Sequence, residues 1–304
     1  MPSRYTPRFP ATLLPGLALL ATLLPGLADA ADPALLRSPN PVDGTEKTTP
    51  IVGAGAHFSW VIFHDLKPDL ERVTGRPITL YGRNSALGLG CGAGIKNAGN
   101  HSPARPAFGF VCCELDEAEI RKHNLEVYPL AREPLLILVN DTNPVSNLSL
   151  QQVRDLFSGK IRNWQEVGGE DKPVVVVVRL HCKGRPGHWK TILPSADKFR
   201  KDRLDVTSAD DMVKKVSDFT SAIGHTGATW TFRHQDRVKA LTIDGYGPTA
   251  ANLKAGAYPF YRTLSAVTRK GVQGDVLTLI REVQQGRAFR AVAGKYQLAP
   301  LGRD

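Results

Sequence analysis

Short apolar runs alternate with amphipathic helical patterns along most of the chain. Ile51 and Val52 open the first run, and apolar residues at helical spacing then predict a helix over residues 58–73. A strand at 78–81, a helix after Gly94, a strand at 108–111, a charged helix at 117–123 and a strand at 127–131 complete a first unit. Strand and helix in alternation predict an α/β fold with a largely parallel sheet. Pro134 breaks the pattern, and the apolar run at 135–139 starts a second unit. There Ser149 and Gln152 have capping-box spacing, Leu150, Val153, Leu156 and Phe157 fall on one helical face, and Gly159 supplies the stop. Five consecutive valines at 174–178 read as a strand buried on both faces. A further strand near 238–243 and a helix at 275–285, with Val276, Leu279, Ile280 and Val283 on one side, finish the pattern.

Ahead of this region the pattern changes. Arg4 and Arg8 precede an apolar stretch at 11–27 that ends in Ala28, Asp29 and Ala30, a small-x-small cleavage pattern. Residues 1–30 therefore read as a secretory signal peptide, which places the mature chain in the periplasm. Pro15 and Pro25 interrupt a stretch already short for a membrane span. Residues 31–49, rich in Pro, Asp, Thr and Ser, read as an extended N-terminal segment.

The formal charge of +10 falls to +9 once the two arginines and one aspartate of the signal are gone. No basic run interleaved with aromatics accompanies that charge, so it points to small anions rather than to nucleic acid.

Four loops follow apolar strands: residues 53–57, 88–94, 111–114 and 179–188. In open α/β sheets such loops feed helix N-termini and hold ligands. Gly88, Gly90 and Ala93 match a dinucleotide-loop spacing, but no acidic residue is placed to complete it, and a backbone nest for a small anion explains the glycines.

A stretch that opens Asn143-Pro144-Val145-Ser146, continues Leu156-Phe157-Ser158-Gly159-Lys160-Ile161-Arg162-Asn163-Trp164 and closes Gly168-Gly169 resembles the periplasmic phosphate-binding proteins of ABC transporters. Gly92-Ala93-Gly94, Ile223-Gly224-His225-Thr226-Gly227 and Tyr258-Pro259-Phe260-Tyr261-Arg262 support that resemblance. It implies a type 2 periplasmic binding fold, with two α/β lobes joined by a two-strand hinge. Residues 50–131 and 242–304 would form the first lobe and 132–241 the second. The resemblance also implies a monomer without cofactor that closes on a small inorganic ligand and delivers it to a membrane permease or a sensor histidine kinase.

The departures from the family pattern fall on the ligand loops. After the valine strand the family has an arginine followed by Asp-Gly-Ser-Gly-Thr; here Arg179 is followed by His181, Cys182, Lys183, Gly184 and Arg185. Cys91, before Gly92, takes a serine position, Cys112 and Cys113 replace a Ser-Asp or Ser-Arg pair, and Ala56 with His57 lacks the usual hydroxyl. Ala56, His57, Cys91, Gly92, Cys112, Cys113, Arg179, His181, Cys182, Lys183 and Arg185 are thus the expected ligand-facing residues.

All four cysteines lie on three of these loops. Two readings stand side by side. An even count in an oxidising compartment suits two structural disulfides. Alternatively Cys91, Cys112, Cys113 and Cys182 form a soft-ligand site for a thiophilic species such as arsenite, with Arg179, Lys183, Arg185 and His188 lowering the thiol pKa values. Copper(I) or zinc held by the cysteines with His181 and His188 is a variant of the second. Cys182 beside His181 has no identifiable partner acid, so the chain is read as a binding protein and not as an enzyme.

Overall fold

The computed structural model describes residues 49–83, 90–182, 184–185, 187–229 and 235–302. Residues 1–30, read above as a signal peptide, and most of the lead-in lie outside the described residues. Among those described, no helix is long and apolar enough to cross a membrane.

The first part of the chain forms β1 (Ile51–Gly55), α1 (His57–Thr74), β2 (Ile78–Tyr81), α2 (Cys91–Gly99), β3 (Ala107–Val111), α3 (Glu117–Lys122) and the long β4 (Leu125–Asn140). Then come β5 (Asn147–Leu148), α4 (Leu150–Ser158), β6 (Val175–Val178), β7 (Leu204–Asp205), α5 (Ala209–Asp218), β8 (Ala222–Gly227), β9 (Val238–Ala240), β10 (Thr242–Ile243) and α6 (Ala250–Lys254). The chain returns through β11 (Tyr261–Arg269), α7 (Asp275–Gln285), α8 (Arg287–Lys295) and β12 (Ala299–Pro300).

The main sheet runs β2-β1-β3-β11-β4-β8-β6-β7. Its outer strands are parallel, β1 to β2 and β3 on one side and β6 to β7 and β8 on the other. Antiparallel β4 and β11 connect them. Two apolar cores flank this crossing. Ile62, Phe63, Leu70, Phe108, Phe110, Leu279 and Ile280 fill the first, while Phe157, Trp164, Phe199, Ile223 and Phe260 fill the second. Amphipathic α5 covers the opposite face of the second lobe's sheet with Met212, Val213 and Val216.

Several sequence expectations meet the structure with a change. The helix starts are as the capping chemistry requires: Ser149 and Gln152 complete a capping box, and Gly159 ends α4 at φ 81. By contrast, Pro134 does not end a strand. β4 runs through it, because Pro134 stands where the strand changes neighbours, from β11 over residues 125–134 to β8 over 135–139. A missing N–H is tolerated at such a handover. The second helix begins at Cys91, before Gly94, with Gly90 as its N-cap.

The expected return to the first lobe at residue 242 comes later in the structure. Ile243, Leu253, Tyr258 and Phe260 pack in the second core, and the first core resumes at Leu264. The segment between β10 and β11 carries enough apolar residues to cover the second lobe before it crosses back.

Candidate functional site

The cysteines converge because of an unusually close packing of α2 on β3. A Cβ added to Gly109 would lie 2.1 Å from the Gly94 carbonyl oxygen, and one added to Gly94 would lie 2.7 Å from that of Phe110. Two facing glycines thus let the helix rest backbone to backbone on the strand. Cys91, the first residue of α2, is brought against the end of β3. Its Sγ lies 3.7 Å from that of Cys112 and accepts a 3.2 Å hydrogen bond from the Cys112 N–H.

The second lobe contributes the loop after β6. Cys182 sits there at φ 52, a left-handed conformation seldom adopted by a residue with a side chain. The sulfurs of Cys91, Cys113 and Cys182 lie within 4.8 Å of one another. A second set, Cys112, Cys113 and a ring nitrogen of His181, meets the same limit. Cys91, Cys112 and Cys113 are only 2 %, 4 % and 2 % exposed, whereas Cys182 is half-buried. All four are free thiols in this structure.

The thiols share their protons unequally. Hydrogen bonds from Cys113 and Cys91 push Cys182 down to about 4 against its burial, with Arg185 adding a smaller effect. Cys91 is also lowered, chiefly by Cys112, and Cys113 is raised by hydrogen bonding to Cys112, Cys182 and Cys91. The sulfurs themselves, more than the expected ring of cations, set the acidity.

Behind them lies a buried polar floor. Arg262 on β11 donates from Nε to Glu133 of β4 at 2.5 Å and meets His188 Nδ1 at 2.9 Å, with its guanidinium 3.8 Å from the Phe58 ring centre. Glu133 also accepts from the Thr229 N–H and hydroxyl. Burial disfavours the Arg262 charge, but the Glu133 carboxylate overrides it and raises the pKa. The His188 ring lies 4.4 Å from that of His181 and 5.3 Å from that of His225. Burial drives His188 well below its ordinary pKa and His225 down to about 3, so both are neutral. His181 Nε2, His225 Nδ1, Thr226 Oγ1 and one Arg262 nitrogen are buried without a hydrogen-bond partner in the protein, leaving polar capacity in the cleft for water or a ligand.

A family model for a PBP superfamily domain matches residues 86–289. The chain belongs to the PBP superfamily. Among curated members it is 31 % identical over 137 residues to the phosphate-binding protein PstS of Bacillus subtilis, covering 45 % of this chain and 44 % of that one. It is 22 % identical over 173 residues to the PstS of Borreliella burgdorferi, covering 54 % and 62 %. The chain thus spans about half the length of the curated relatives it matches. In fold it is similar to a substrate-binding protein with bound phosphate from Clostridium perfringens, at TM-score 0.69 and 22 % identity over 83 % of this chain and 99 % of that one. An ABC-type phosphate transport receptor from Vibrio cholerae gives TM-score 0.60 at 22 % identity over 83 % and 99 %. The type 2 periplasmic binding fold read from the sequence is therefore the fold of this superfamily member.

Within this PBP domain the expected residues part company. Cys91, Cys112, Cys113, Cys182 and His181 come together, and Arg179 stands beside them, partly buried, with its Nε on the Thr207 carbonyl. Ala56 caps α1 with no side-chain bond, and His57, its ring nitrogen on the Arg83 carbonyl, opens that helix. Gly92 faces outward on α2. Arg185, close enough to Cys182 to feel its charge, spends its hydrogen bonds on Glu119 of α3. Lys183 lies outside the described residues. Asp116, Glu119, Lys122, His123, Cys182 and Arg185 line a vestibule of about 470 Å³ outside the sulfurs.

Glu133, Arg262, His188 and His225 were not among the expected ligand-facing residues. Arg262 and His225 do lie in the family-like stretches, and a charged residue inside an apolar strand pattern was the available signal.

Proposed function

We propose that the chain is an exported solute-binding protein that captures a small inorganic, thiophilic ligand between its lobes and presents it to a membrane permease or a sensor histidine kinase, acting as a monomer. Arsenite is the ligand that best suits the sulfurs. The convergence of Cys91, Cys113 and Cys182 carries this reading. Three thiols replace the three hydroxyls of arsenous acid, forming three arsenic–sulfur bonds and releasing three waters, with no change of oxidation state. Cys91 and Cys113 come from the first lobe and Cys182 from the second, so the ligand stabilises the closed arrangement by contacts that an open one lacks. The names of the relatives support a phosphate-like oxyanion as a second reading, to which Arg179 would supply the charge.

Calorimetric titration of the anaerobically reduced protein with arsenite, phosphate and arsenate tests both. One equivalent of arsenite should bind, the binding should be lost in Cys182→Ser, and phosphate should give no heat. A protein with four free thiols and no arsenite heat would overturn the thiol reading, and tight phosphate binding would establish the second.

A further inference from the structure

The cleft holds two three-coordinate sets, not one, and they share a sulfur. Cys91, Cys113 and Cys182 form the first; Cys112, Cys113 and His181 form the second. Bonds of about 2.3 Å to a central ion place three ligand atoms roughly 4 Å apart, which is compatible with the 4.8 Å limit that both sets meet. Among the described residues no fourth cysteine, histidine or carboxylate joins either set within that limit, so tetrahedral zinc is poorly served.

The second set differs from the first in its nitrogen. His181 Nδ1 lies 3.4 Å from the Arg179 carbonyl oxygen, which orients the ring, while Nε2 is buried and has no hydrogen-bond partner. A backbone carbonyl behind one ring nitrogen and a bare second nitrogen is the arrangement that metal-binding histidines use. An imidazole adds little for a metalloid, whereas monovalent copper accepts thiolate and imidazole together.

We propose that the reduced cleft binds two copper(I) ions, one in each set, bridged by the Cys113 thiolate. The proposal rests on the thiol-cleft reading above and names a second ligand class for it. Each coordinating thiol gives its proton to solvent, and copper keeps its oxidation state. Four thiolates and two monovalent ions leave two negative charges, and the Arg179 and Arg262 guanidiniums stand close enough to feel these sulfurs. The bridging role explains why adjacent cysteines occupy the end of β3: Cys113 serves both sets, while Cys112 serves only the second.

The experiment is an anaerobic titration of the reduced full chain with copper(I) against a colorimetric copper(I) chelator, with X-ray absorption at the copper edge. Wild type should withdraw two equivalents and show a copper–copper distance. His181→Ala and Cys112→Ser, each checked for folding by circular dichroism, should bind one, without that distance; Cys182→Ser should also bind one, retaining a nitrogen ligand. A single equivalent for the wild type, or two retained by both His181→Ala and Cys112→Ser, overturns the proposal. One equivalent each of arsenite and copper would remove the bridged pair and leave the thiol-cleft reading standing. No uptake of either by a protein with four free thiols would remove both.

Discussion

Arg185 reaches across from the loop behind Cys182 to Glu119 on α3, donating through Nε at 2.9 Å and through a second guanidinium nitrogen. The contact ties the only cysteine of the second lobe to the lobe that carries the other three. With side chains 23 % and 17 % exposed, the pair is partly shielded from solvent and contributes about 1 kcal/mol. Glu119→Gln should therefore weaken arsenite binding roughly fivefold at neutral pH, read by calorimetry. Arg185 holds the Glu119 carboxyl below its ordinary pKa. The contribution is thus complete above the usual carboxylate range and disappears as the pH falls through the lowered value.

The Glu133 and Arg262 pair is a different case, because both side chains are almost fully buried, at 0 % and 4 %. Removing one partner strands the other charge. Glu133→Ala should cost about 3–5 kcal/mol in urea unfolding, whereas replacing both residues with apolar ones of similar volume should cost far less.

Acid should destabilise the protein through His225. Its folded pKa of about 3 lies below the ordinary value of 6.5, so the unfolded chain takes up a proton that the folded chain refuses. Stability is complete above pH 6.5 and falls between there and about 3, by up to about 1.4 kcal/mol per pH unit. His225→Gln should flatten that slope in denaturant titrations made at a series of pH values.

Gly109→Ala should separate α2 from β3. The new methyl would sit 2.1 Å from the Gly94 carbonyl oxygen and 2.8 Å from Val267 Cγ2, and the Gly94 backbone cannot yield without moving the helix. Loss of several kcal/mol of stability is expected, and any folded protein should lose arsenite affinity because Cys91 moves with the helix. Gly92→Ala, where an added Cβ meets nothing, is the matched control for stability.

The alternating pattern and the capping residues made most of the fold legible, since Ser149, Gln152 and Gly159 act locally. Pro134 misled because its effect depends on which strands lie beside it, and that is settled only by β8 and β11, far along the chain. The cysteines stood out at substituted family positions, and four of the expected ligand residues do meet as thiols. The partition into two sets was not legible, since it depends on how loops from separate strands meet in space. Arg185 adjoins the thiols in sequence, but its hydrogen bonds go to Glu119 in the first turn of α3, a partner that only the fold brings to it. Glu133 and Arg262 are paired across β4 and β11, a register that no local pattern reveals.

The near-complete burial of Cys91, Cys112 and Cys113 has a kinetic consequence. Water and competing small thiols cannot reach these sulfurs while the lobes are together. On the proposed reading, the residence time of an ion held there would be set by how often the crossing strands let the lobes part, and a membrane partner that pries them open would act as the release catalyst.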